Sequence, residues 1–241
     1  MPLTTLKTGL CGFTIGAAAY YETFPVVEVQ QTFYDPPPAR TIERWRMQAT
    51  PSFEFTMKAW QVITHLGTSR TYKRLKSSFS AKEKSEAGAF RVNATTMRAW
   101  DVTRDAARRL HATAILFQCP ASFKPTDENA ENMRRFFAEI EKPRDVRFLW
   151  EPRGAWPDDL VLSLCRELHL IHAVDPFVRP SLTPEVTYWR LHGNGSAYAT
   201  YTDDELAQLH RWLPEEGEAY VMFNNIPRVG DAKRFLADRQ R

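Results

Sequence analysis

Apolar runs that end on an ionisable or amide residue recur along this chain. VEVQQTFY, FTMKAW, ILFQCP, FLWEPRGAW, HAVDP, YWRLHG and VMFNN each pass from hydrophobic to polar at the C-terminal end. Buried parallel strands end this way when they deliver charged side chains to the mouth of a barrel or crevice. The runs predict eight strands: Leu6–Phe13, Val26–Gln31, Phe53–Lys58, Ala112–Gln118, a fifth in the Phe148–Trp156 stretch, Leu170–Asp175, Val186–His192 and Ala219–Asn224. In the third, Phe53, Phe55 and Met57 alternate with Glu54, Thr56 and Lys58, so one set packs under helices and the other looks inward.

Between the strands the spacing changes to helical. Thr14–Phe24 is small and aromatic and suits an abbreviated helix; the triple proline Pro36–Pro38 stops the chain before a helix over Ala39–Ala49. Thr95–Leu110 has a buried face of Met97, Ala99, Trp100, Ala106, Ala107 and Leu110. Asp127–Glu141 has Asp127 as N-cap, with Met133, Phe136, Phe137 and Ile140 on one face. Pro157–Leu168, Thr202–Leu213 and Gly230–Arg239 complete the set. All-parallel strands need right-handed crossovers and helical cover, so the economical solution is a closed (β/α)8 barrel of the TIM type in the α/β class.

Composition narrows this without altering it. A chain of 241 residues with 43% hydrophobic and 25% charged residues suits a single barrel domain over residues 1–241. A net charge of +3 is too small to argue for a polyanionic partner, so electrostatic claims rest on local clustering. Cys11, Cys119 and Cys165 are odd in number and form no CxxC pair, against a disulfide framework or zinc ribbon. The start, MPLTTLKTGL, lacks the blocks of a signal peptide, and no apolar run approaches the ~20 residues of a membrane span; a cytoplasmic protein with no membrane partner is the expectation. The clustering is local to residues 67–93, a basic insertion after the third strand. It carries Arg70, Lys73, Arg74, Lys76, Lys82, Lys84 and Arg91 against Glu83 and Glu86, with Tyr72, Phe79 and Phe90 interleaved. It is either a solvated face or a clamp for an anionic ligand.

In a barrel of this order the strand ends bring together Glu28, Lys58, Gln118, Glu151, Asp175, Arg190, His192 and Asn224, on the face where barrel active sites lie. Alternation in the seventh strand points Tyr188, Arg190 and His192 one way. The alternative to a ligand site is a self-satisfied salt-bridge network. Gly193–Ser196 follows the seventh strand and a second polar turn follows the eighth, the positions where barrels commonly hold phosphate. Glu28, His65, Glu151, Asp175 and His192 are ligand types for Zn²⁺ or Mn²⁺, but no HxH, HExxH or DxD spacing supports a metal, and no pattern names a cofactor. No GxSxG is present, and His111, His169, His172 and His210 fall at structural positions.

VVEVQQTFY, TPSFEFTMKAWQVITH, ILFQCPASF, FLWEPRGAW, YWRLHGNGSAY and YVMFNN, in this order over nearly the whole chain, resemble the domain-of-unknown-function family 72, the YecE-like barrels. The resemblance implies a TIM barrel with a pocket at the strand C-termini. Its positions match Glu28, Thr32, Tyr34, Lys58, His65, Gln118, Glu151, Arg153, Asp175, Arg190, His192 and Asn225. The chain departs from the family's usual pattern in TIGAAAYYETF, which follows the first strand.

The leading reading is an enzyme, of the phosphoester hydrolase kind, acting on a phosphate-bearing ligand: a phosphoester, a sugar phosphate or a nucleic-acid end. Arg190 and the loop from Gly193 hold the anion, and Glu151, His192 and Asp175 are the catalytic candidates. Glu28, Tyr34, Lys58, His65, Gln118, Arg153 and Asn225 contact substrate. The alternatives are a non-catalytic nucleic-acid-binding module using the basic insertion, and a metal-dependent sugar isomerase or hydrolase.

Overall fold

Alternation within each run decides the architecture. In a computed structural model, which describes residues 4–238, the strands β1 (Thr5–Cys11), β2 (Val26–Val29), β3 (Glu54–Lys58), β4 (Ala112–Gln118), β5 (Arg147–Glu151), β6 (Leu170–Val174), β7 (Val186–Leu191) and β8 (Glu218–Phe223) pair in sequence order. Every pairing is parallel, and β8 closes on β1. Five strands, β1, β2, β6, β7 and β8, are a little shorter than predicted at their C-terminal ends. Gln30, Asp175, His192 and Asn224 have already left the ladder and begin the loops above the barrel.

One residue set on each strand faces outward beneath the helices. Phe55 and Met57 of β3, Ile115 and Phe117 of β4 and Phe148 and Trp150 of β5 join a continuous apolar layer with Trp100, Leu110, Met133 and Phe136 from two helices. The other set fills the barrel, where Cys11, Val26, Ala114, Leu116, Leu149, Ala173, Tyr188, Tyr220 and Met222 pack together. Burying such side chains contributes about 1.5–3 kcal/mol each.

The helices follow the predicted spacing, with shifts that have local causes. The helix after β4 runs Asp127–Glu139 and is capped by Thr126, not Asp127: the Thr126 hydroxyl accepts from the Asn129 amide at 3.2 Å, while Asp127 and Glu128 sit in the first turn, where acidic charge is favoured. The last helix begins at Arg228 and runs to Asp238; its predicted end at Arg239 lies outside the described residues. No helix fills the connection from β6 to β7, a stretch that carries Pro176, Pro180 and Pro184. Among the described residues no helix is long and apolar enough to cross a membrane.

Residues 67–93 have structure of their own, a 3-10 turn over Arg70–Arg74 and a helix over Ala81–Glu86. Tyr72 donates its hydroxyl hydrogen to the His65 carbonyl at 3.0 Å, and the Gly88 and Phe90 amides bond to Val62 and Ile63. The segment is thus fastened to the turn that follows β3. A capping box, Ser80 with Glu83, was the signal in the sequence that could have disclosed its helix.

At the N-terminal end of the barrel, Lys7, Glu54, Glu218, Tyr220 and Arg147 form a closed ion-pair and hydrogen-bond network across β1, β3, β8 and β5. It plugs the floor, leaving the opposite end as the mouth.

Candidate active site at the barrel mouth

Inward alternation lifts Glu28 from β2 and Arg190 from β7 to the same height inside the barrel, where both are fully buried. Arg190 Nε stands 3.0 Å from Glu28 Oε2 and Nη2 2.8 Å from Oε1, while Nη1 donates to Glu151 Oε2 from β5. Glu28 also accepts from the Tyr188 hydroxyl at 2.9 Å and from Gln30 Nε2. Tyr188 in turn is 2.8 Å from Thr56 Oγ1. A buried charge is tolerable only when it is paired and hydrogen-bonded, and this inner layer meets that condition.

The electrostatics follow from the packing. Burial, the largest single influence, raises the carboxyls of Glu28 and Glu151, but the neighbouring cations, Arg190 first, together outweigh it and hold both below the usual carboxylate range; for Glu151, where Arg153 adds to Arg190, the value is about 2. Lys58, at the end of β3, behaves in the opposite sense. Burial lowers its ammonium and Arg190 lowers it further; Glu28 and Glu151 only partly compensate, leaving it at about 7. Its Nζ lies 2.6 Å from Gln118 Oε1 and 3.8 Å from the Phe33 ring centroid.

Above this layer sit the partly exposed groups. The Arg153 side chain is 38% exposed and His192 28%. Asp175 Oδ2 accepts the His192 backbone N–H at 2.9 Å and lies 3.4 Å from Nδ1 of the same imidazole, fixing the ring from behind. Arg153 Nη2 touches His192 Nε2, and its Nε is 3.2 Å from Glu151 Oε1. The mouth therefore presents a carboxylate-backed imidazole next to a guanidinium, arranged over a charge-compensated floor.

Eight of the expected residues meet here: Glu28, Lys58, Gln118, Glu151, Arg153, Asp175, Arg190 and His192. Arg190 is not placed as expected. Its nitrogens are engaged by the two carboxylates inside the barrel, so the cation facing outward is Arg153. Four others are held by contacts of their own. His65 is buried with Nδ1 2.8 Å from Thr64 Oγ1 and its ring against Phe33; burial, with Lys58 and Arg153, lowers it to about 3, so it is neutral. Tyr34 lies beneath the Arg74 guanidinium, 3.5 Å from its ring centroid. Asn225 is buried, its amide nitrogen donating to Ala199 O at 3.0 Å and Asp231 Oδ2 at 2.6 Å. Gly193 spends its N–H on the Tyr201 hydroxyl at 2.8 Å; its φ is +91°, and a Cβ there would meet the Ser196 carbonyl at 2.1 Å. This glycine makes the turn and its amide is not free for an anion. Thr32 bonds the Lys58 carbonyl at 2.7 Å and holds β3 to the turn after β2.

Tyr188, Gln30 and Phe33 were absent from the expected set. Tyr188 was legible, since alternation puts it on the same face as Arg190, and so was Gln30, which alternation puts with Glu28; Phe33 acts from the turn after β2, where alternation gives no guidance. Among the described residues no group of three or more His, Cys, Asp or Glu side chains is arranged to hold a metal ion. Glu28 and Glu151, the carboxylates buried inside the barrel, are spent on Arg190.

The chain is 31% identical over 119 residues to the UPF0759 protein YunF of Bacillus subtilis (strain 168), a match covering 48% of this chain and 36% of that protein. The chain therefore matches little more than a third of that relative's length. Its fold is shared with the crystal structure of a DUF72 family protein, EF0366, from Enterococcus faecalis V583, with a TM-score of 0.73 at 20% identity over 99% of this chain and 98% of that one. A more distant likeness, of fold alone, links it to AP endonuclease, family 2, from Brucella melitensis, at TM-score 0.56 and 12% identity over 100% and 98% of the two chains. Residues 17–239 match the family described as protein of unknown function DUF72, and the chain belongs to that family.

Proposed function

We propose that this barrel is an enzyme acting on a phosphate-bearing ligand at its C-terminal mouth, a phosphoester, a sugar phosphate or a nucleic-acid end. The observation that carries the reading is the Asp175–His192–Arg153 array. A carboxylate behind Nδ1 orients the ring and leaves Nε2 facing Arg153, which suits His192 to general acid–base work through that nitrogen. That nitrogen is in contact with Arg153, so His192 accepts there while it is neutral. An oxyanion entering between the two would accept from both. Arg153 offers the planar fork that matches phosphate. Glu151 contributes by orienting Arg153, since a carboxylate held at about 2 stays ionised and is a poor proton donor.

A binding screen with glycerol 3-phosphate, nucleotides and a 5′-phosphorylated oligonucleotide, each against its unphosphorylated counterpart, tests this. Saturable binding that requires the phosphate is expected. Equal binding of the two members of every pair, or binding to none, removes the reading.

One contact favours a second reading, a nucleic-acid surface on residues 67–93. Arg74 stacks on Tyr34 while Lys73 and Lys76 are exposed, placing cationic side chains beside the turn after β2. It requires steeply salt-dependent oligonucleotide affinity that falls when Lys73, Arg74 and Lys76 are all neutralised; unchanged affinity would dismiss it.

A further inference from the structure

The mouth contains one nucleophile that acid–base chemistry at His192 does not use. Lys58 is 3% exposed, and the two carboxylates able to hold its proton, Glu28 and Glu151, are both clasped by Arg190. Its Nζ is left with the neutral amide oxygen of Gln118 and the face of Phe33. Gln118 is itself partly exposed, so displacing its carboxamide opens the amine to the mouth. We infer that Lys58 is a covalent attachment point for a carbonyl compound, forming an imine with a phosphorylated aldehyde or ketone whose phosphate rests at Arg153 and His192. This inference rests on the phosphate reading above for the ligand's anionic end, and on the geometry of Lys58 for the bond.

The step balances within the ligand and the side chain. The amine lone pair adds to the carbonyl carbon, forming a C–N bond as the π electrons move to oxygen. The resulting carbinolamine loses that oxygen as water, together with the two former amine hydrogens, and leaves a C=N bond. Burial first, and then Arg190, makes Lys58 give up its ammonium proton readily, at about 7.

The test is reductive trapping on the wild-type chain at pH 7 with D-glyceraldehyde 3-phosphate, and in parallel with glyceraldehyde, using cyanoborohydride and peptide mapping by mass spectrometry. Hydride adds to the imine carbon and fixes the adduct as a secondary amine. We expect Lys58 to be labelled at least ~10-fold faster than exposed Lys73 or Lys76, with the rate levelling above pH ~7, because an ordinary lysine keeps its proton to about pH 10. Lys58→Arg, checked for folding by circular dichroism, is expected to lose that adduct and no other. Labelling confined to exposed lysines overturns the inference. So does saturable binding of glycerol 3-phosphate with no adduct on Lys58, a result that leaves the phosphate reading intact. Equal labelling of Lys58 by both aldehydes supports the reactive lysine and removes the phosphate reading instead.

Discussion

Arg190 and Glu28 meet inside the barrel through contacts of 2.8 to 3.2 Å, each fully shielded from solvent, and they tie β7 to β2 across the interior. The pair accounts for the rest of the mouth. Because Arg190 satisfies both buried carboxylates, Lys58 is left without a carboxylate partner and Arg153 becomes the outward cation.

Removing one member of that pair strands a buried charge. Arg190→Ala is expected to cost about 3–5 kcal/mol, and Glu28→Gln less, since the amide keeps part of the hydrogen bonding. Urea unfolding followed by tryptophan fluorescence measures both. A loss under about 1 kcal/mol for Arg190→Ala, the range of exposed pairs, would mean that the charges are solvated.

Acid stability follows from the same contacts. The Glu151 carboxyl is held at about 2 in the folded chain against an ordinary value of 4.5, so its contribution is fully present above about pH 4.5 and is lost as pH falls through about 2. Glu151→Gln should therefore unfold with a flatter pH dependence below 4.5. Lys58 runs the other way. Its folded value of about 7 lies below the ordinary 10.5, so the unfolded chain binds the proton more strongly and stability rises with pH between the two. Relative to Lys58→Met, the wild type should gain stability between pH 7 and 9 by up to about 1.4 kcal/mol per pH unit. Parallel curves for the two proteins would count against a depressed lysine.

Arg153 separates binding from folding. Its side chain is more than a third exposed, so Arg153→Ala should change stability by no more than about 0.5 kcal/mol. Loss of a charged hydrogen bond to a phosphate, about 1.5–3 kcal/mol, corresponds to a roughly tenfold to hundredfold weaker affinity for glycerol 3-phosphate. Calorimetric titration checks the affinity and thermal unfolding the stability.

The β7 turn gives a purely conformational prediction. Gly193→Ala must hold a positive φ and press a methyl group into the Ser196 carbonyl, a strain of about 1–3 kcal/mol. The chain should lower it by reshaping residues 193–196. Denaturant unfolding with no loss of stability would show that the turn relaxes freely.

Much of this was written in the sequence, for reasons that differ by residue. The bounds of β4 are those predicted because a continuous apolar run is closed by Cys119-Pro120. Alternation in β3 separated Phe55 and Met57 from Thr56 and Lys58, and in β7 it aligned Tyr188 with Arg190. What a strand pattern cannot specify is which partner a convergent charge chooses. Arg190 ends in the same place whether it faces a ligand or two glutamates, and only the three-dimensional spacing of β2, β5 and β7 decides in favour of the glutamates. Asn225 is a polar residue in a turn, and one-dimensional patterning cannot distinguish a turn side chain that enters the mouth from one that bonds back to its own loops.

The chemistry of the mouth depends on where an anion sits. A crystal structure of the protein with glycerol 3-phosphate should place phosphate oxygens about 2.7–3.2 Å from the Arg153 guanidinium and His192 Nε2, with the Arg190–Glu28 pair undisturbed beneath. Phosphate bound only along residues 67–93, or at the mouth with Arg153 turned away to solvent, would contradict it.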